Sequence, residues 1–132
     1  MSDPSQGPGT DEFAALLGIE VVRRGPGHTV ATLTTGASHA NPHGTVHGAV
    51  FYAVAGAAVA AAANDEDHSG IISSVLVEYL RGAALGDQLH AEVRREASTE
   101  REDIFTGTVR RGEDGDLLAW VRARGTRRAR TG

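Results

Sequence analysis

The chain has 132 residues and a formal net charge of −4, with 13 basic residues against 17 acidic ones. That length sets an expectation of one domain, and the acidic balance gives a nucleic-acid partner no footing. Cysteine is absent, which excludes a disulfide framework, a thiol nucleophile and a thiolate metal site, and every basic residue is Arg.

Residues 1–9 are rich in Gly, Pro and Ser and read as a disordered N-terminal segment. Residues 10–127 read as the domain, and 128–132 as a basic, frayed C-terminal tail. No charged-then-apolar secretory pattern opens the sequence, so a cytoplasmic location is the default expectation. Residues 10–18 predict a short helix with Thr10 as N-cap, Asp11 and Glu12 in its first turn and Gly18 closing it. Phe13, Leu16 and Leu17 share one face of it. Segments 19–24 and 28–35 predict two strands around the turn Gly25-Pro26-Gly27.

After a polar loop comes the stretch that organises the rest, an almost uncharged run over 46–63 in which nine of the residues from Ala49 to Ala63 are Ala. Alanine has the lowest cost in a helix. A helix apolar all round is expected to be buried all round. At about 15 unbroken apolar residues it falls short of the ~20 a membrane span needs. It therefore predicts the central helix of one domain. Asn41, His43 and His47 stand at its N-terminal mouth, where free backbone N–H groups and the positive end of the helix dipole point outward. Such a mouth suits an anion, or an oxygen that becomes negative during a reaction.

Beyond the loop 64–70, the segments 71–81, 88–97, 103–111 and 116–126 predict four strands, the last two joined at Gly112-Glu113-Asp114-Gly115. In the last strand Leu118 and Trp120 fall on one face, Leu117, Ala119 and Val121 on the other. Consecutive hairpins favour an antiparallel sheet, and one sheet rolled around one apolar helix is an α+β architecture.

Three pieces of the sequence carry a resemblance. The first is Asn-x5-His-Gly, Asn41 to Gly48, with Gly44-Thr45 before the His. The second is the strand end Val77-Glu78-Tyr79-Leu80-Arg81, and the third is Asp114-Gly115-Asp116-Leu117-Leu118-Ala119. In this order they resemble the hotdog-fold acyl-CoA thioesterases of the phenylacetate-degradation type, over roughly residues 13–126. The resemblance implies an antiparallel sheet wrapped around one long central helix. It also implies an acyl-CoA substrate, coenzyme A entering only as part of that substrate, no other cofactor, and a homodimer or homotetramer. A backbone N–H at the helix mouth, here that of Gly48, would polarise the thioester carbonyl. Asn41 would orient substrate or water, and His47 would support the site. A carboxylate nine residues after the His would act as base or nucleophile in a site shared with the partner subunit. Nine residues at ~100° each put the two positions on opposite sides of the helix.

That count lands on Gly56, which has no side chain for such work. No Asp or Glu lies between Pro42 and Asn64, and Asp65 stands roughly 14 Å along the helix from Gly56 at 1.5 Å per residue. Two functional readings follow. In one, a thioesterase uses another group: His43 or His47 as base, with Ser73 or Ser74 on the following strand positioning water and Arg81 meeting a CoA phosphate at the rim. In the other, the protein binds an acyl thioester without hydrolysing it. A hotdog-type hydratase is the weakest reading, because the loop from Asn41 to Gly48 holds no Asp. His43 and His47 straddle the loop-to-helix junction with no carboxylate at a ligand spacing, so no metal site is expected.

Overall fold

A computed structural model describes residues 10–131, so the segment 1–9 read as disordered, and Gly132, lie outside the described residues. The first helix, α1, spans Glu12–Leu17. Its N-cap is Asp11, not the expected Thr10: the Asp11 carboxylate accepts from the Ala14 N–H at 2.9 Å. An aspartate caps at least as well as a threonine and adds negative charge at the positive helix end. Gly18 closes the helix in the left-handed conformation, φ 87°. Of the face read from Phe13, Leu16 and Leu17, only Leu17 is partly covered; the residue α1 buries is Ala14.

Strands β1 (Glu20–Gly25) and β2 (His28–Thr34) form the expected antiparallel hairpin. Helix α2 spans Gly48–Ala63, two residues shorter than predicted at its start. Val46 is held in a bridge to Ala40, and His47 keeps an extended backbone as N-cap. Then follow β3 (His68–Ser69), β4 (Ile72–Tyr79), β5 (Gln88–Ser98), β6 (Glu102–Arg111), β7 (Leu117–Thr126) and β8 (Arg128–Ala129).

The six long strands make one antiparallel sheet in the order β1-β2-β5-β6-β7-β4. β4 therefore does not form a hairpin with β5, as consecutive pairing would have it. The connection crosses the helix mouth, where the Val46 N–H donates to the Ala83 carbonyl at 3.0 Å, and β4 settles against β7 at the far edge. The Arg111 side chain fixes this connection by donating to Asp87 at 3.0 Å and to the Gly82 carbonyl at 3.2 Å. In β7 the faces also differ from simple alternation. The register against β6 shifts beside Leu117, so Leu118 and Ala119 are both buried while Trp120 turns outward. A bulge breaks the period of two that the sequence reading used.

All six strands of this sheet contact α2. Val50, Phe51, Val54, Ala55, Ala58, Val59 and Ala62 of the helix meet Leu33, Leu89, Val93, Phe105 and Val121 of the sheet in one core. The expectation that α2 is buried all round fails on one stripe: Ala49 and Tyr52 are exposed, and Ala53, Gly56 and Ala60 only half-buried. The sheet wraps one side of the helix, α1 touches it near Ala57 and Ala60, and Ala49 and Tyr52 are left exposed.

The C-terminal segment expected to fray is tied down. β8 pairs with β3, the Arg130 Nε–H donates to the Asp65 carbonyl at 2.7 Å, and Arg127 donates to Asp103 at 3.1 Å. Asp103 is 1% exposed and also accepts from Ser98 Oγ at 2.6 Å, with Arg95 Nε at 3.3 Å. Arg95 in turn donates to the Ala62 carbonyl in the last turn of α2, where a cation opposes the negative dipole end.

Candidate functional site

The loop before α2 is built from local turn chemistry. Asn41 opens a turn with Pro42 second and Gly44 closing it, the Gly44 N–H donating to the Asn41 carbonyl at 3.1 Å. Gly44 has φ 82°, a conformation glycine adopts without the steric cost other residues meet. The Asn41 Oδ1 accepts from the N–H groups of His43 and Thr45 at 2.9 and 3.1 Å, and its Nδ2 donates to Thr45 Oγ1 at 2.8 Å. The side chain thus caps its own turn and keeps one amide hydrogen for another acceptor. His43 is an exposed loop residue.

Hydrogen bonds across the base of this loop line it up with the helix. The Asn41 N–H donates to the Thr45 carbonyl at 2.8 Å, and the His47 N–H to the His39 carbonyl at 2.8 Å. His39, unremarked in the sequence reading, is buried. Its Nδ1 accepts from the Gly36 N–H at 2.9 Å, and its Nε2 donates to the Leu17 carbonyl at 2.8 Å, tying the end of α1 to the mouth of α2.

His47 caps α2 with its ring: Nδ1 accepts from the Ala49 N–H at 3.0 Å. A ring nitrogen that accepts carries no proton, so the neutral imidazole holds its proton on Nε2. Among the described residues no group accepts from the Gly48 N–H, one of the free donors of the first turn. Asn41, His47 and Gly48 are therefore brought together at one helix mouth.

The residue the sequence reading passed over is Tyr79, which figures there only as the aromatic of a strand-end motif. Its hydroxyl donates to the Gly48 carbonyl at 2.7 Å, and its ring lies 5.6 Å from that of Phe51. Partial burial pushes the phenol above the ordinary tyrosine value, so it keeps its proton at neutral pH. Arg81 follows two residues later, exposed, with no ion pair among the described residues.

The other predicted residues lie apart. Ser73 and Ser74 sit at the opposite end of β4, five to six residues from Tyr79 and so roughly 16–20 Å away at ~3.3 Å per residue. Ser73 Oγ donates to the Arg124 carbonyl at 3.2 Å. The structure does not bring these serines to the helix mouth of their own chain. Gly56 lies on the open stripe of α2, and a Cβ built there meets no atom within 4 Å. Among the described residues no side chain fills that position, and close packing within the subunit does not require a glycine there. Among the described residues no three His, Asp or Glu side chains group closely enough to hold a metal ion.

One antiparallel sheet wrapped on one apolar helix, with a polar loop at the helix mouth, is the hotdog fold. No protein-family model matches the sequence. The chain is 30% identical over 112 residues to a Deinococcus radiodurans protein named "Putative esterase", covering 85% of this chain and 76% of that one. It is 32% identical over 81 residues to the acyl-coenzyme A thioesterase PaaI of Escherichia coli K12, covering 61% of this chain and 58% of that one. A mutant form of the phenylacetic acid degradation protein PaaI of Thermus thermophilus superposes with a TM-score of 0.82 at 28% identity, covering 88% of this chain and 98% of that one. The chain belongs to the hotdog-fold thioesterases of the PaaI type.

Proposed function

We propose that this protein hydrolyses an acyl-CoA thioester, with an aromatic acyl group as the first class to try, at the mouth of α2. The observation that carries the reading is the Gly48 N–H, without an acceptor among the described residues, at the positive end of the 16-residue helix α2. As water adds to the thioester carbonyl, a general base takes one of its protons and the carbonyl oxygen becomes negative. A preorganised donor meets that oxyanion, which then re-forms the C=O bond as the C–S bond breaks and the CoA thiolate leaves, taking up the proton. In this reading the His47 Nε2–H and the spare amide hydrogen of Asn41 serve as further donors to the substrate, and the exposed Arg81 supplies a cation for a CoA phosphate. This reading makes the protein a homodimer or homotetramer. It is supported by the uncovered stripe on α2 and by β4, whose outer edge has no partner strand among the described residues and whose Leu76 and Tyr79 stand exposed.

A second reading, binding without hydrolysis, is favoured by Gly56. A missing general base costs roughly 10²- to 10⁴-fold. The test is steady-state hydrolysis of a panel of acyl-CoAs (phenylacetyl, hydroxybenzoyl, short and medium straight chains) by the natural protein and by Gly56→Asp, which the open space accommodates. His47 Nδ1 is engaged by the Ala49 N–H, which leaves His47 a donor and not the expected base. Turnover at ordinary enzyme rates, abolished by Asn41→Ala or His47→Ala, supports hydrolysis at this mouth without the helix carboxylate. A nearly inert natural protein beside an active Gly56→Asp supports the binding reading. Failure of both proteins to bind any acyl-CoA by calorimetry removes both readings.

A further inference from the structure

Tyr79 closes β4 and is 53% exposed, yet its hydroxyl is committed to one acceptor, the Gly48 carbonyl 31 residues earlier, at 2.7 Å. The strand holds the residue in place. Tyr79 is registered against Ala119, and the next two N–H groups, of Leu80 and Arg81, both donate to the Leu118 carbonyl, at 2.8 and 3.1 Å. A Cβ built on Gly48 would lie 3.4 Å from both Cζ and Oη of the phenol, so the ring already rests against that glycine. Phenylalanine would supply the same packing against Gly48 and Phe51; the hydroxyl adds only its hydrogen bond.

The accepting carbonyl and the Ala49 N–H belong to one peptide unit. The hydroxyl donates to the oxygen, and on the other side of the same amide the Ala49 N–H donates to His47 Nδ1 at 3.0 Å. Hydrogen bonds in such a chain polarise one another, by roughly 10–30% per bond. The tautomer of a histidine is set by the hydrogen bond that its other nitrogen makes. Gly48 is also the residue of the first turn with the greatest backbone freedom.

We propose that Tyr79 is the positioning residue of the helix mouth: its hydroxyl pins the Gly48–Ala49 peptide, through the Ala49 N–H sets His47 in the tautomer that presents Nε2–H, and keeps the Gly48 N–H directed outward at the thioester carbonyl. This rests on the thioesterase reading of the same mouth. The partial burial of the phenol is consistent with it, since burial raises its pKa and the donor stays protonated at neutral pH.

The test is Tyr79→Phe, which deletes the hydroxyl and keeps the ring. Long-range ¹H–¹⁵N spectra report the tautomer of each imidazole, and a His47→Asn sample identifies the His47 signals among the six histidines. The natural protein is expected to show His47 as the Nε2–H tautomer, and Tyr79→Phe a mixture of the two. For the best acyl-CoA of the panel, kcat is expected to fall about 3- to 10-fold with KM unchanged, the ordinary worth of one neutral hydrogen bond. The thermal midpoint is expected to stay within the scatter of the natural protein. An unchanged His47 spectrum overturns the proposal whatever happens to kcat, and so does a changed spectrum with kcat intact. Should the natural protein hydrolyse no acyl-CoA, the thioesterase reading fails separately; the His47 spectrum then decides alone, a mixture upholding Tyr79 as the residue that positions the mouth and a single tautomer overturning it.

Discussion

His28 and Glu92 show how one pair can make stability depend on pH. They sit 2.6 Å apart on neighbouring strands β2 and β5. The hydrogen bond from His28 holds the Glu92 carboxyl below its ordinary 4.5, against the burial that works the other way, with the charges of Arg94, His28 and His90 adding to it. The unfolded chain therefore takes up this proton at a higher pH than the folded chain does. The pair's contribution is fully present above 4.5 and is lost as pH falls through the lower folded value. Thermal midpoints measured from pH ~6 down to ~3 should fall less steeply for Glu92→Gln than for the natural protein. Parallel acid limbs would show that this pair has no part in the loss. At this scale the sequence was most informative where the chemistry is local. The Asn41 turn, the Gly18 cap and the His47 ring cap are all decided within four residues. The Tyr79 hydroxyl bond and the buried Asp103 cluster join residues 31 and 24 positions apart, and no spacing rule reads such distances.

Among the elements, α2 was legible because its composition leaves no alternative: nine alanines and no charge. Its inner attachment was not. Thr29 of β2 donates to the Ala58 carbonyl at 2.6 Å in the middle of the buried face, and threonine in a strand reads simply as a β-branched residue. Thr29→Val keeps the shape and removes the donor, while the Ala58 carbonyl is a helix-interior oxygen that retains its own turn. A loss of about 1 kcal/mol is expected by denaturant titration, with the slope unchanged. A loss near zero would mean that the contact carries no net stability. Gly107 is the opposite case. It passes as an ordinary strand glycine, yet a Cβ there would press into the Glu92 carbonyl oxygen and lie 2.9 Å from Val93 Cγ2. The close approach of β5 and β6 depends on it, and nothing in the flanking Thr106 and Thr108 announces that. β3 and β8 escaped notice because two-residue strands have no period.

For the molecule as a whole, an eight-residue edge strand with exposed Leu76 and Tyr79 is a template for further pairing, and the open stripe of α2 lies on the same chain. Sedimentation equilibrium at micromolar protein is expected to give a dimer or tetramer mass. A monomer there would mean that each helix mouth has to work with the residues of one chain. No helix among the described residues is long and apolar enough to cross a membrane.

The strand order has a consequence for the growing chain. β4 is the first strand of the main sheet after α2, but its only partner there is β7, and Tyr79 lies opposite Ala119, forty residues downstream. On a ribosome, the helix and its polar loop emerge long before the strand that seats Tyr79 can dock. Contacts between residues so distant along the chain form slowly, because the intervening chain must first be ordered. The mouth of α2 is then completed only after β7 has been made. β4 is an edge strand held in the sheet by β7 alone, so opening of that one pairing would cost the mouth its Tyr79 contact while β1, β2, β5, β6 and β7 keep their partners.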